Sequence, residues 1–507
     1  MDEERREVSR GHSTPEKSGE GLNSITRRVS KMRKSRKRQK NKQQYELFPR
    51  KYKLGDISKL EGKPMESTVS GTDKEVSIGE ELQSILERER AETGDIMERI
   101  AEYVNLNRAC QQVIQNGGSS GVDGMDVKEL RQWYNKNLKW LQASLLTEGY
   151  EVSAVLKVEI PKPTGGKRML GIPTSKDRLV QQAIHQELSK HYEPYFSENS
   201  YGFRPGRSAH QAIIQSAEYI KEGKEWVVDI DLEKFFDKIN HDRLMQRLSK
   251  RISDKRLLRL IRTFLRAGMM EGGLYEQRIA GTPQGGPLSP LLSNIVLDEL
   301  DIELKRRGHS FCRYADDCNI YVKSRKAGER VMESIVRFIE KELKLKVNRE
   351  KSGVRHCSEV KFLGYTIMSG GGKRVADKTI DRFKDKVRMI TRRSRGIKFE
   401  QLIKELNRII VGWRNYFRLA NKWLSNLREI DCWIRRKLRC YRLKQCGRKY
   451  TIVKFLQSLG CAETKSWNVV MYSQGWWNMS KKIAVGHAMS IEWFASKGLE
   501  SLYIMKA

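Results

Sequence analysis

Residues 311–322, FCRYADDCNIYV, set two runs of strand-forming residues around an Ala-Asp-Asp tip. That pattern reads as a hairpin whose turn carries two adjacent like charges, Asp316 and Asp317. Asp tolerates turn geometry and hydrogen-bonds its own backbone, so a water-facing polar turn is the plainer reading. The sharper one is a divalent cation. Carboxylate oxygens suit hard ions such as Mg2+, and an ion between two carboxylates removes their repulsion. It requires a third acidic group and phosphates nearby.

A source for the third group lies at 225–242, EWVVDIDLEKFFDKINHD, which reads as a strand from Trp226 to Leu232, then a turn and a helix. Strand side chains alternate, so Val228, Ile230 and Leu232 face one side while Asp229 and Asp231 share the other. Periodicity does not choose between these aspartates. Paired beside the hairpin, this strand would let three carboxylates hold two Mg2+ ions about 3.5–4 Å apart, the separation of two-metal phosphoryl transfer. That is polymerase chemistry.

Charge agrees with such a substrate. The 507 residues hold 98 Lys plus Arg against 63 Asp plus Glu, a formal net charge of +35. A surplus of this size suits a polyanion, with nucleic acid ahead of an anionic membrane surface. No apolar run approaches the roughly 18 residues of a bilayer span, and the N-terminus opens charged, which predicts a soluble intracellular protein. The eight cysteines include no C-x-x-C pair, so neither a zinc site nor a disulfide framework is indicated.

Residues 1–80 are polar and poor in aromatics, a composition that predicts disorder. Within them RRVSKMRKSRKRQKNK (27–42) suits an arm held by phosphate charge. Ordered structure is expected from about 81, with alternating strands and helices over 150–370 and basic helices beyond 375. In the helix around 399–421 the residues Leu402, Leu406, Ile409, Ile410, Trp413 and Phe417 share a face. In the next, Trp423, Leu427, Ile430, Ile434, Leu438 and Tyr441 do so, leaving Arg435, Arg436, Arg439 and Arg442 largely free for a phosphate backbone.

From about Asn105 onward the blocks NLNRACQQVIQNGG, IPKPTGGKRMLGIPTSKDRLVQQAI, FSENSYGFRPGRSAHQAI, DIDLEKFFDKINHD, GTPQGGPLSPLLSNIVLDELD, RYADD, LKLKVNREKS, VKFLGY and GWRNYF follow one another. This ordered series resembles the reverse transcriptase and maturase proteins encoded in bacterial group II introns. The resemblance implies an α+β right-hand polymerase: fingers and palm over 81–375, a helical basic thumb or maturase domain over 376–450, and a basic tail over 451–507. It makes Asp231 the metal ligand with Asp316 and Asp317, and Asp229 a neighbour. Phe236 falls where such enzymes carry a gate against the 2′ hydroxyl, by which RNA and DNA differ. Lys162 and Arg168 match the fingertip hairpin over the triphosphate, where Arg offers phosphate a planar fork. Gln284 matches the nucleotide loop, and Lys351 a lysine positioned to protonate the leaving pyrophosphate. Arg204 and Arg207 match the template block, and Arg414, Arg435 and Arg436 are further RNA contacts.

The implied activities are RNA-directed DNA synthesis with two Mg2+ ions, and binding of the parent intron RNA to stabilise its folded, splicing-competent state. The implied partners are intron RNA, an RNA template with DNA primer, deoxynucleoside triphosphates and target DNA, with no membrane. The implied setting is a cytoplasmic bacterial ribonucleoprotein. No paired cysteines accompany His487 near the C-terminus, so the Cys- and His-containing endonuclease of many relatives is not expected. Two alternatives are a non-catalytic RNA-binding splicing chaperone and a domesticated reverse transcriptase of DNA repair or defence.

Overall fold

The computed structural model describes residues 93–161, 167–271, 274–276, 280–282, 285–421 and 424–503. The chain divides into Met1–Gly79 and Glu80–Ala507, and the described residues all belong to the second unit. The basic segment 27–42, Lys162, Gln284 and Trp423 lie outside the described residues, as does the side chain of Arg168.

In chain order the described strands are β1 Val155–Pro161, β2 Lys167–Ile172, β3 Trp226–Ile230, β4 Met269–Glu271, β5 Leu274–Glu276, β6 Ser310–Tyr314, β7 Asp317–Val322, β8 Gly353–His356, β9 Tyr365–Ile367 and β10 Lys373–Val375. They form sheets ordered β2-β1-β4-β5, β6-β7-β3-β8 and β10-β9. The β1–β2 pair is the expected basic hairpin, antiparallel from Leu156↔Ile172 to Pro161↔Lys167.

The β6-β7-β3-β8 sheet positions the site. Its strands are rich in β-branched and aromatic residues that fit a pleated surface covered on both faces. Val228 and Ile230 of β3, with Phe311 and Ile320, enter one core, shared with helices α3 (Ser289–Arg306) and α4 (Arg325–Lys341). Val227, Cys312 and Tyr321 enter the other, shared with α2 (Ala209–Lys221) and the C-terminal helices. The preceding helix, α1 (Ser175–Tyr192), starts on Thr174, whose hydroxyl accepts from the Asp177 amide. A reciprocal Ser208–Gln211 capping box starts α2.

Beyond β10 the chain is helical: α5 (Asp377–Ile390), α6 (Phe399–Tyr416) and α7 (Leu424–Cys446), then five shorter helices to Ser496. The expected apolar faces hold, with Leu402, Leu406 and Ile410 of α6 and Ile430, Ile434 and Leu438 of α7 buried in one core. No described helix is long and apolar enough to cross a membrane. All eight cysteines are free.

Candidate active site

The Asp-Asp tip is a two-residue turn. Tyr314 pairs with Asp317 across β6 and β7, so Ala315 and Asp316 make the bend, with Ala315 left-handed at φ 59°. Such a turn matches the twist of the flanking strands but strains an alanine. Arg313 holds it from behind. Its fully buried guanidinium engages both Asp301 oxygens, with Nε 2.7 Å from Oδ1, and donates to Asn294 Oδ1 (2.9 Å), Ser200 Oγ (2.8 Å) and the carbonyl of Ala315 (2.9 Å). A buried charge is tolerable when paired and fully hydrogen-bonded, and this one directs a donor at the Asp-Asp turn.

Register brings in the third carboxylate. β3 pairs antiparallel with β7 from Trp226↔Val322 to Ile230↔Cys318, so the next step sets Asp231 level with Asp317. The Asp231 backbone is fixed by loop 348–352: its amide donates to Ser352 Oγ (2.9 Å) and its carbonyl accepts from the Asn348 amide (2.9 Å). Lys351 of this loop places Nζ 3.5 Å from both Asp231 carboxylate oxygens. Asp229 instead takes Arg355, with Nη1 3.1 Å from Oδ2. The two aspartates that periodicity left equivalent thus differ in partner.

The electrostatics reflect the crowding. Asp229 is pushed up to about 6, first by burial, against the opposing pull of Arg355 and with a further push from Asp231. Asp317 is pushed up to about 7, first by the protein around it and then by Asp229, Asp316 and Asp231. Asp317 stands at the exposed start of β7, where the repulsion of Asp229, Asp316 and Asp231 adds to that first cause. Among the described residues no three His, Cys, Asp or Glu side chains converge closely enough to hold an ion as they stand. The donor chemistry fits one nevertheless: carboxylates that raise one another at a sheet end are what a hard divalent cation relieves.

Phe236 lies in the short helix Phe235–Lys238, half-buried, its ring 5.3 Å from that of buried Phe235. Its carbonyl accepts from the Thr282 amide (2.7 Å), and a Cβ on Gly281 would stand 2.8 Å from the same carbonyl oxygen. The segment leading to Gln284 therefore packs against the Phe236 turn.

Arg204 departs from the expected template contact. Arg204 is buried, its guanidinium on Glu193 (Nη2–Oε1 2.9 Å) and the Ser200 carbonyl (2.7 Å), so it braces its own loop and is not presented to a template. Arg207 is half-buried, donating to the Glu198 carbonyl (3.2 Å). Arg414 is tied to Glu500 (3.0 Å) and the Ser501 carbonyl (2.8 Å). Arg436, Arg439 and Arg442 of α7 do not form a free face, because the chain after 448 packs over them. Arg436 lies 3.8 Å above the Trp477 ring and Arg442 4.7 Å above that of Phe455. Arg439 donates to the Met489 carbonyl (2.8 Å) and Arg435 contacts Cys432 Sγ (3.2 Å).

The accessible cations lie elsewhere. Arg382 and Lys386 of α5 and Arg408 of α6 line a cleft of about 390 Å³ floored by Trp413, Tyr416 and Phe417. Lys361 lies within electrostatic range of both Arg382 and Asp317: burial, Arg382 and Lys378 hold its ammonium below the usual lysine range, while Asp317 opposes them. The sequence signal was available in the spacing of Arg382 and Lys386, one turn apart on a helix beside the apolar stripe of Ile380, Phe383 and Val387.

Residues 160–367 match the reverse transcriptase (RNA-dependent DNA polymerase) family, and residues 380–458 match the group II intron maturase-specific domain. The chain is 34% identical to protein YkfC of Escherichia coli over 287 residues, 49% of this chain and 75% of that protein. It belongs to the group II intron reverse transcriptase and maturase family. The group II intron-encoded protein LtrA of Lactococcus lactis is 31% identical over 325 residues, 51% of this chain and 54% of LtrA. A putative COX1/OXI3 intron 2 protein of Saccharomyces cerevisiae is 27% identical over 381 residues, 61% of this chain and 44% of its own. The chain thus spans about half the length of these last two relatives. The family's α+β polymerase fold with a helical C-terminal region is the architecture described above.

Proposed function

We propose that this chain is an active RNA-directed DNA polymerase that also binds its parent group II intron RNA to promote splicing and mobility. The observation that carries the catalytic half is the register that sets Asp231 level with Asp317, beside Asp316 on a turn held by Arg313. Asp231, Asp316 and Asp317 would hold two Mg2+ ions, which lower the pKa of the primer hydroxyl and offset charge on the reacting phosphate. The residues of the chain do the rest. Phe236 excludes the extra oxygen of a ribonucleotide. Lys162, Arg168 and Gln284 hold the incoming deoxynucleoside triphosphate. Lys351, whose ammonium stands 3.5 Å from Asp231, donates a proton to the leaving pyrophosphate.

Arg382, Lys386 and Arg408 support the nucleic-acid half, since they make no ion pair among the described residues and face a cleft with an aromatic floor. We assign fingers and palm to 81–375, the maturase domain to 376–450 and further nucleic-acid contacts to 451–507. In this reading the protein works with intron RNA, an RNA template, a DNA primer and target DNA, as a cytoplasmic ribonucleoprotein.

Primer extension on an RNA template with Mg2+ and deoxynucleotides, wild type beside Asp231→Asn, is the test. Extension by wild type alone, with equal RNA binding by both proteins, is expected. Tight RNA binding without extension by either would instead favour the splicing chaperone.

A further inference from the structure

Phe203 is a large apolar residue placed where neither its backbone nor its side chain is comfortable. It is 49% exposed and left-handed, at φ 58°. A bulky side chain at positive φ is a steric outlier, and such strain persists only where the surroundings impose it. Here they do. The flanking Gly202 has no space for a Cβ, which would stand 2.3 Å from the Ala315 amide nitrogen, and its carbonyl accepts from Asn294 Nδ2 (2.9 Å). On the near side, the Tyr201 amide donates to the Arg313 carbonyl (2.9 Å), and the Arg313 amide to that of Asn199 (2.9 Å). On the far side, Arg204 is anchored on Glu193.

The loop is thus fastened to the Asp-Asp hairpin ahead of Phe203 and to Glu193 just after it, and the ring it projects is not used for packing in the core. That ring instead lies 6.4 Å from the ring of Tyr314, tilted by 44°, immediately before the Ala315–Asp316 bend. Tyr314 is half-buried and within electrostatic reach of Tyr416, at the floor of the cationic cleft. Exposed Phe203, half-buried Tyr314 and exposed Tyr416 thus lie between the Asp-Asp turn and the cleft lined by Arg382, Lys386 and Arg408. Apolar rings beside a row of cations match a nucleic-acid duplex, whose sugars and base edges present apolar surface between charged backbones.

We propose that Phe203 is a positioning residue for synthesis, its ring bearing on the last base pair of the primer–template duplex and fixing the primer terminus over the Asp-Asp turn. This rests on the polymerase reading above. Substitution by glycine gives a clean test, because glycine adopts φ 58° without strain and should leave the fold as stable as wild type or more so.

The experiment compares wild type, Phe203→Gly and Phe203→Tyr on an RNA template annealed to a fluorescent DNA primer. It reads thermal midpoint, anisotropy, steady-state extension and product length. The expected result for Phe203→Gly is an unchanged or higher midpoint, at least fivefold weaker primer–template binding with KM raised in parallel, shorter products and an unchanged KM for deoxynucleotide. Phe203→Tyr should restore binding and product length. Wild-type affinity and product length in Phe203→Gly would overturn the proposal, as would a lowered midpoint that alone accounts for the loss. Binding without extension by wild type would refute the polymerase reading, while anisotropy would still decide the role of Phe203.

Discussion

Asp298 lies on α3 three residues before Asp301, with Oδ1 buried and lacking a hydrogen-bond partner. Burial, then the charge of Asp301, pushes its carboxyl up to about 7, against the weaker pull of Arg313, Arg251 and Arg204. A carboxyl with a raised folded pKa favours folding fully below its unfolded value near 3.8, and that contribution is lost as pH rises toward 7. Asp298→Asn removes the ionisation, so the variant should gain stability over wild type at pH 8, by of order 2 kcal/mol, and the gain should vanish near pH 4. Thermal midpoints of both proteins at pH 4, 6 and 8 check this. A constant offset across that range would mean that the amide merely packs differently. Burial pushes the Asp301 carboxyl up as well, but there the Arg313 guanidinium meets both oxygens, opposes that push and holds the turn in place.

At the scale of elements, the Asp-Asp hairpin is positioned by a loop as much as by its sheet. Gly202→Ala would drive a Cβ to 2.9 Å from the Tyr314 carbonyl carbon and closer still to the Ala315 nitrogen, backbone atoms that cannot give way without moving Asp316. We expect primer extension to fall at least tenfold while RNA affinity stays within twofold, measured on the same preparation with its circular dichroism unchanged. The hairpin and β3 were legible in the sequence because alternation and turn chemistry are local. The support was not: nothing near Arg313 announces that it pairs with Asp301 twelve residues away and with Ser200 on another loop. Arg204 misled for the same reason, since a surface cation and a buried brace look alike until Glu193 is seen beneath the guanidinium. In α7 the apolar stripe was correct and its complement was not, because periodicity tells which face is buried first but not what later packs on the other.

For the whole molecule, a net charge of +35 makes affinity for any nucleic acid depend on salt, since each phosphate neutralised releases counterions. The charge is not uniformly available, however. Arg204, Arg414 and Arg439 are spent on internal carboxylates and carbonyls, whereas Arg382, Lys386 and Arg408 converge on one cleft. If the cleft carries the phosphate contacts, replacing those three by alanine should reduce the slope of log affinity against log salt by about 2 to 3 on a duplex. Asp316→Ala should leave that slope as in wild type, because its carboxylate neutralises no phosphate. Titrating one primer–template across 50–300 mM NaCl separates the outcomes. An unchanged slope in the triple variant would move the phosphate contacts to other surfaces and leave the aromatic floor of the cleft as ordinary packing between α5 and α6.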